Sequence, residues 1–277
     1  MTSSSADTLR NFHGTILLAG AGKMGGAMLS GWLAQGIDTK HVAMVEPNPS
    51  DETRGFAARG VRLNPTANDL STVDVLVLAV KPQMFAEVGP QLKPFISPAT
   101  LVVSIMAGTT IATIETICGG KVIRAMPNTP ASVGRGITVA VPSKDVSPDQ
   151  RATTDAMLSA IGAVEWVDDE ALMDAVTAVS GSGPAYVFLL AEELERAGIA
   201  AGLPAALATK LARETVAGSG ELLHRSYLDS ATLRKNVTSP GGTTAAALEV
   251  LMAADGFEPL LTRAVAAATK RSKELAK

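Results

Sequence analysis

The sequence predicts an α/β half built on a mostly parallel sheet, followed by an all-helical half. Three observations carry this. Short, continuous apolar runs alternate with helical or turn-rich segments as far as residue 170. A crowded glycine turn follows the first of those runs, and beyond residue 170 the β pattern gives way to Ala- and Leu-rich helical sequence. Strands apolar at every position are buried on both faces, which is the mark of a parallel sheet covered by helices.

The elements follow in order. MTSSSADTLRN (1–11) is polar, lacks the apolar core of a signal peptide, and reads as a loose tail. Strand-like runs are TILLAG (15–20), HVAMVE (41–46), DVLVLAV (74–80), TLVVSI (100–105), KVIRAM (121–126), GITVAV (136–141) and AVEWVD (163–168). Helical patterns then cover 184–200, 204–224, roughly 229–236, 243–254 and 257–276, punctuated by Gly202, Pro204 and Gly256. The expected division is residues 14–170 and 171–277. Several apolar helices in so small a domain leave surface uncovered, so contact with a second copy is expected.

Apolar residues make up 47% and charged residues 18% of the 277, as in a folded chain. The net charge of −3, with dispersed Lys and Arg, gives no nucleic-acid footprint. Cys118 is the single cysteine, and His13, His41 and His224 stand at no metal-ligand spacing, so neither a disulfide nor a metal site is expected. One cysteine suits a reducing cytoplasm. The longest apolar runs, VLVLAV (75–80) and YVFLLA (186–191), fall far short of the ~18 residues that cross a membrane.

Gly20-Ala21-Gly22-Lys23-Met24-Gly25 matches G-x-G-x-x-G, between the first strand and a helix. In that context the glycines serve a tight turn, close approach of a pyrophosphate, and helix–strand packing. The helix N-terminus would face the anion, as in a Rossmann-like dinucleotide-binding domain. The alternative is close helix–strand packing without a ligand. Glu46 ends the second run where an acidic side chain takes ribose hydroxyls; it favours NAD by repelling a 2′-phosphate, unless Arg54 swings in, or it simply caps a turn. Three further loops stand at strand ends: Ala79-Val80-Lys81-Pro82, Ser104 to Gly108, and Met126 to Pro130. Asn128 is a candidate for a ribose or carboxamide contact, and Ala107-Gly108 leave room for a flat ring. Lys81 is given no catalytic role.

In the helical half, SGSGPAYVF (180–188) and NVTSPGGTTAAALEVL (236–251) place Ser, Gly and Pro before helices. Ser182 is the expected cap of the first, with Pro184 in its first turn, and Thr243 or Thr244 the cap of the second. Gly241 and Gly242 expose amides that can form an anion nest. A carboxylate held there gains roughly 1.5–3 kcal/mol per charge-assisted hydrogen bond. A nicotinamide on the first half and a small anion on the second make hydride transfer the favoured chemistry. It needs chiefly placement, worth ~7–11 kcal/mol.

From about residue 14 to 275 the chain resembles the pyrroline-5-carboxylate reductase family. The matching segments are the glycine turn, AVKPQ (79–83), VVSIMAG (102–108), RAMPNTPASVGRGIT (124–138), AVSGSGPAY (178–186) and NVTSPGGTT (236–244). The resemblance implies NADH- or NADPH-dependent reduction of 1-pyrroline-5-carboxylate to L-proline, the last step of proline synthesis. It also implies a homodimer through the helical domains, and further assembly into a decamer. By position it puts the dinucleotide on Ala19, Gly20, Ala21, Gly22, Lys23 and Met24, with Glu46, Pro47 and Asn48 around the adenosine ribose and Asn68 as a further contact. Ala79, Val80, Lys81, Pro82, Ile105, Met106 and Ala107 would line the nicotinamide. Ser239, Gly242 and Thr243 would hold the substrate carboxylate, with Thr244 near the ring nitrogen. Some relatives carry an acidic residue where Tyr227 falls, and several have small or basic residues at the position of Glu46, which leaves NADH versus NADPH open.

Two rival functions fit the sequence less well. A β-hydroxyacid dehydrogenase would use a lysine on an early helix of the second domain, yet YVFLLAEELERAG (186–198) has none and Lys210 is far along. A non-enzymatic redox sensor would have no need of the SPGGTT loop.

Overall fold

The computed structural model describes residues 5–70 and 72–275. They divide into two compact units, Met1–Gly181 with Thr269–Lys277, and Ser182–Ala268.

The first unit holds an eight-stranded sheet. Its elements are α1 (Ser5–Arg10), β1 (Ile16–Ala19), α2 (Lys23–Ala34), β2 (Val42–Val45), α3 (Asp51–Ala58), β3 (Arg62–Leu63) and β4 (Val75–Leu78). They continue with α4 (Phe85–Leu92), β5 (Leu101–Ser104), α5 (Ile111–Ile117), β6 (Lys121–Met126), β7 (Gly136–Pro142), α6 (Pro148–Ser159), β8 (Gly162–Trp166) and α7 (Met173–Val176). The strand order is β3-β2-β1-β4-β5-β6-β7-β8. Every neighbouring pair is parallel except β6 and β7, which are antiparallel. Alternate side chains feed two cores, one on each face. Ile16, Leu18, Val75 and Val77 join Met28, Trp32 and Met157 on one face. Leu17, Leu76 and Leu78 join Phe85, Ile114 and Val122 on the other. Burial on both faces is why these runs are apolar throughout.

Two readings need correction here. The segment expected to be a loose tail contains α1, which packs on α6 and buries Leu9 completely. Its one large apolar side chain supplies the anchor that the polar composition concealed; residues 1–4 of that segment lie outside the described residues. The short strand β3 was not foreseen. It pairs Arg62 and Leu63 with Ala43 and Met44, and two residues are too few to set a periodicity.

The second unit contains α8 (Gly183–Ala200), α9 (Ala205–Arg225), α10 (Ser230–Asn236), α11 (Thr243–Leu251) and most of α12 (Phe257–Leu275). The expected helices stand within a few residues of their predicted bounds; position 276 lies outside the described residues. No residue of α8, α10 or α11 is buried, and Phe188, Leu222, Val250 and Leu260 are each more than half exposed. The last residues of α12 belong to the first unit, where the Ser272 hydroxyl donates to Asp174 of α7 at 2.6 Å.

Candidate active site

The strand order reverses between β1 and β4, and the glycine turn sits at the carboxyl end of β1 at that switch point. Each glycine has a distinct reason to be there. Gly20 has φ +93, and a methyl group on it would stand 2.7 Å from the Ala79 carbonyl oxygen. A methyl on Gly25 would strike the Gly20 carbonyl oxygen, so this glycine lets α2 lie close on the turn. Gly22 is different: nothing lies within 4 Å of where its side chain would be. It is also the N-cap of α2, with no side-chain cap. Ser50, Thr110, Ser147 and Asp229 do cap their helices through side-chain oxygens. The first-turn amides of α2 are therefore left for an outside acceptor, beside open space.

Around this turn the strand ends converge. Ala79 N–H donates to the Ala19 carbonyl at 2.8 Å, Gly20 N–H to that of Val45 at 2.9 Å, and Ile105 N–H to that of Leu78 at 3.0 Å. These bonds set Ala19 to Met24 beside Ala79 to Pro82, and the latter beside Ile105 to Ala107. A hollow of about 530 Å³ is lined by Pro82, Ala107, Gly108, Thr109 and Leu275 among others. Glu46 does more than cap a surface turn. One carboxylate oxygen accepts from Ala21 N–H at 3.0 Å and the other from Asn48 N–H at 3.1 Å. The carboxylate is thus fixed against the glycine turn, with Pro47 and Asn48 exposed next to it. Lys23, Lys81 and Pro82 are exposed. Asn68 is exposed on a separate turn, Ala67–Asp69, closed by Thr66 and Asp69. Asn128 is buried, and its amide oxygen accepts from Ile137 N–H at 3.0 Å, which ties the loop after β6 to β7.

The second glycine-rich site lies in the other unit. Gly241 has φ +68, a left-handed conformation natural to glycine, and Gly242 N–H closes the turn onto the Ser239 carbonyl at 3.0 Å. Gly242 is the N-cap of α11 and makes no side-chain cap, so the expectation that Thr243 or Thr244 caps this helix is corrected. Both threonines are already helical, and their amides belong to the uncapped first turn. Ser239 and Thr243 are exposed and Thr244 half-buried. Ser182 stands at the N-cap of α8 with Pro184 in the first turn, as expected, but its side chain makes no capping bond. Ser182 is itself helical (φ −85, ψ −23), because Thr177–Gly181 before it is already wound as a π-turn.

A family model described as pyrroline-5-carboxylate reductase dimerisation matches residues 170–275. Another, described as NADP oxidoreductase, coenzyme F420-dependent, matches residues 15–108. The chain is 40% identical over 266 residues to the pyrroline-5-carboxylate reductase of Pseudomonas aeruginosa, covering 94% of this chain and 96% of that one. It is 44% identical over 260 residues to that of Synechocystis sp., covering 91% and 96%. The chain belongs to the pyrroline-5-carboxylate reductase family. Among solved structures, a pyrroline-5-carboxylate reductase from Coxiella burnetii matches with a TM-score of 0.88 at 35% identity, covering 96% of this chain and 100% of that one. The Plasmodium falciparum pyrroline carboxylate reductase, solved with NADP bound, matches at 0.80 and 31%, covering 96% and 99%.

Two features of this member of the pyrroline-5-carboxylate reductase family escaped the sequence reading. Asn64, at φ 50, uses its side-chain oxygen to accept from Glu46 N–H at 2.7 Å and its nitrogen to donate to the Glu46 carbonyl at 3.0 Å. The available signal was Asn-Pro after a strand, since Asn tolerates the left-handed region. Buried Arg124 donates to Glu170 at 2.8 Å, and the same Glu170 oxygen accepts from Ile111 N–H at 2.9 Å. No local pattern joins residues so far apart in sequence. Among the described residues no cluster of three or more His, Cys, Asp or Glu could hold a metal ion, and no helix is long and apolar enough to cross a membrane.

Proposed function

We infer that this chain reduces 1-pyrroline-5-carboxylate to L-proline with NADH or NADPH, the final step of proline biosynthesis. Family membership over nearly the whole chain supports this reading. The observation that carries it is the pair of helix N-termini, α2 and α11, whose caps are the glycines Gly22 and Gly242 rather than side chains. Backbone amides left open in this way suit a pyrophosphate at one and a carboxylate at the other.

Residues 14–170 are assigned to the cofactor and residues 171–277 to substrate binding and dimerisation. The amides of Gly22 to Met24 take the pyrophosphate, and Glu46 with Pro47 and Asn48 flanks the adenosine ribose, with Asn68 at the adenosine side. Ala79 to Pro82, Ile105 to Ala107 and the Asn128 loop border the nicotinamide. When bound, the reduced nicotinamide supplies a hydride. Ser239 and the amide of Thr243 hold the substrate carboxylate and present the C=N carbon, while Gly242, its own N–H closed onto the Ser239 carbonyl, shapes the turn. Hydride adds to that carbon and a proton to nitrogen. Thr244 hydrogen-bonds the nitrogen, but a hydroxyl is too weak an acid to be the proton source, so the proton arrives with an iminium substrate or from solvent.

The exposed apolar helices of the second unit, within the segment matched as a dimerisation domain, support assembly of this chain as a homodimer. We propose that the dimers assemble into a decamer and that the protein works in the cytoplasm. Analytical ultracentrifugation reads the first directly, and fractionation the second. The activity is tested by a steady-state assay of pyrroline-5-carboxylate with NADH and NADPH in parallel. Proline formation is expected, and its absence with both cofactors refutes the reading.

A further inference from the structure

We propose that Glu170 and Arg124 form a positioning pair that sets the nicotinamide-facing loop. This rests on the reading that Ile105, Met106 and Ala107 border the nicotinamide. That loop joins β5 to α5 and is held along its length. At its start the buried Ser104 hydroxyl accepts from Met106 N–H at 3.3 Å, and Ser104 stands in register with Arg124 on β6. In its middle, Gly108 (φ +71) lies against Leu275, whose Cβ would be 3.4 Å from a methyl placed on that glycine. At its end one oxygen of Glu170 receives Ile111 N–H and the Arg124 guanidinium together, at 2.9 and 2.8 Å.

The hydroxyl at Thr110 is already spent on Thr113 N–H. The carboxylate therefore takes an amide of the first turn of α5 that the cap does not reach. Arg124 is what makes this acceptor dependable. Its side chain is 5% exposed, and a buried guanidinium confines its carboxylate partner to one place. Arg124 also lies two residues before Met126, so one ion pair fixes the loop after β5 against the strand that leads to Asn128. Neither residue is assigned to substrate or cofactor; the pair acts through the loop.

The test compares binding of the full reduced dinucleotide with binding of its ADP-ribose half, which the glycine turn and Glu46 hold without the loop. Titration of Glu170→Gln is expected to show the dinucleotide weakened roughly fivefold, the cost of re-ordering a loop that was set in advance. ADP-ribose affinity should stay within about twofold, and kcat should fall about tenfold as the ring is misplaced. Because Glu170→Gln leaves a buried guanidinium without its charge partner, the double variant Arg124→Met with Glu170→Met serves as a second probe. It removes both charges at similar volume and is expected to show the same split while melting near the wild-type temperature. Parallel loss of both ligands, or no loss of either, overturns the proposal. A wild-type protein that binds no reduced dinucleotide refutes the proposed function itself, before any variant is compared.

Discussion

Gly22 and Gly25 sit in one motif, yet space constrains them in opposite ways. Gly25→Ala forces a methyl onto the Gly20 carbonyl and is expected to cost about 1–3 kcal/mol in urea unfolding. Gly22→Ala meets open space at φ −69, so stability should hold within about 0.5 kcal/mol. Its methyl should instead obstruct the anion and weaken dinucleotide binding about tenfold, since loss of one charge-assisted hydrogen bond is enough. A Gly22→Ala variant that binds like wild type would remove the pyrophosphate from this turn. At the other site, Ser239→Ala is expected to raise KM for the imino acid more than it lowers kcat, because carboxylate binding is lost equally from ground and transition states. An unchanged KM with a large fall in kcat contradicts that assignment. Burial pushes the Cys118 thiol up to about 11, so its neutral form is retained well above neutral pH. The stabilising effect of that neutral thiol is complete below the ordinary thiol range and is lost as pH rises toward 11. Iodoacetamide at pH 8 should leave the native protein unmodified and label it fully in denaturant; rapid labelling of native protein refutes the burial argument.

At the scale of elements, the sequence was most legible where burial is two-sided. β1, β4 and β5 were readable because every residue in them is buried, and α8 and α9 because Gly202 and Pro204 break the chain between them. The glycine turn was legible for a related reason: Gly20 and Gly25 satisfy steric demands that no other residue meets. What escaped depends on contacts between distant residues. Helix α1 buries one side chain, and Leu9→Ala is expected to cost about 3 kcal/mol by emptying a fully enclosed site. A change under about 0.5 kcal/mol in the unfolding midpoint would mean that α1 is dispensable. The two missing side-chain caps have separate causes. Hydroxyls near a helix start usually cap it, but at Ser182 a π-turn has already begun the helix, and at Thr243 a glycine has taken the cap position. In the second case the glycine leaves the first turn of α11 without a side-chain cap. The candidate site was legible as a set of loops. The Glu170 link was not, because a lone carboxylate in sequence carries no mark of the amide it will meet.

For the whole molecule, the unpartnered apolar surface of the helical unit sets the oligomer problem. Phe188→Glu, at a site two-thirds exposed in the single chain, is expected to shift sedimentation toward the monomer without unfolding the first unit. Retention of the wild-type oligomer would remove that surface from the interface.

The route of the chain has its own consequence. Residues from Thr269 onward return to the unit that holds the sheet, with Ser272 bonded to Asp174 and Leu275 against Gly108. During synthesis the first unit to emerge is thus the last to be finished. The wall beside the Ala107–Gly108 bend waits for residues translated after the whole helical unit. A released fragment ending at Gly181 would hold a sheet without its closing piece, and adding residues 269–275 in trans should tighten it.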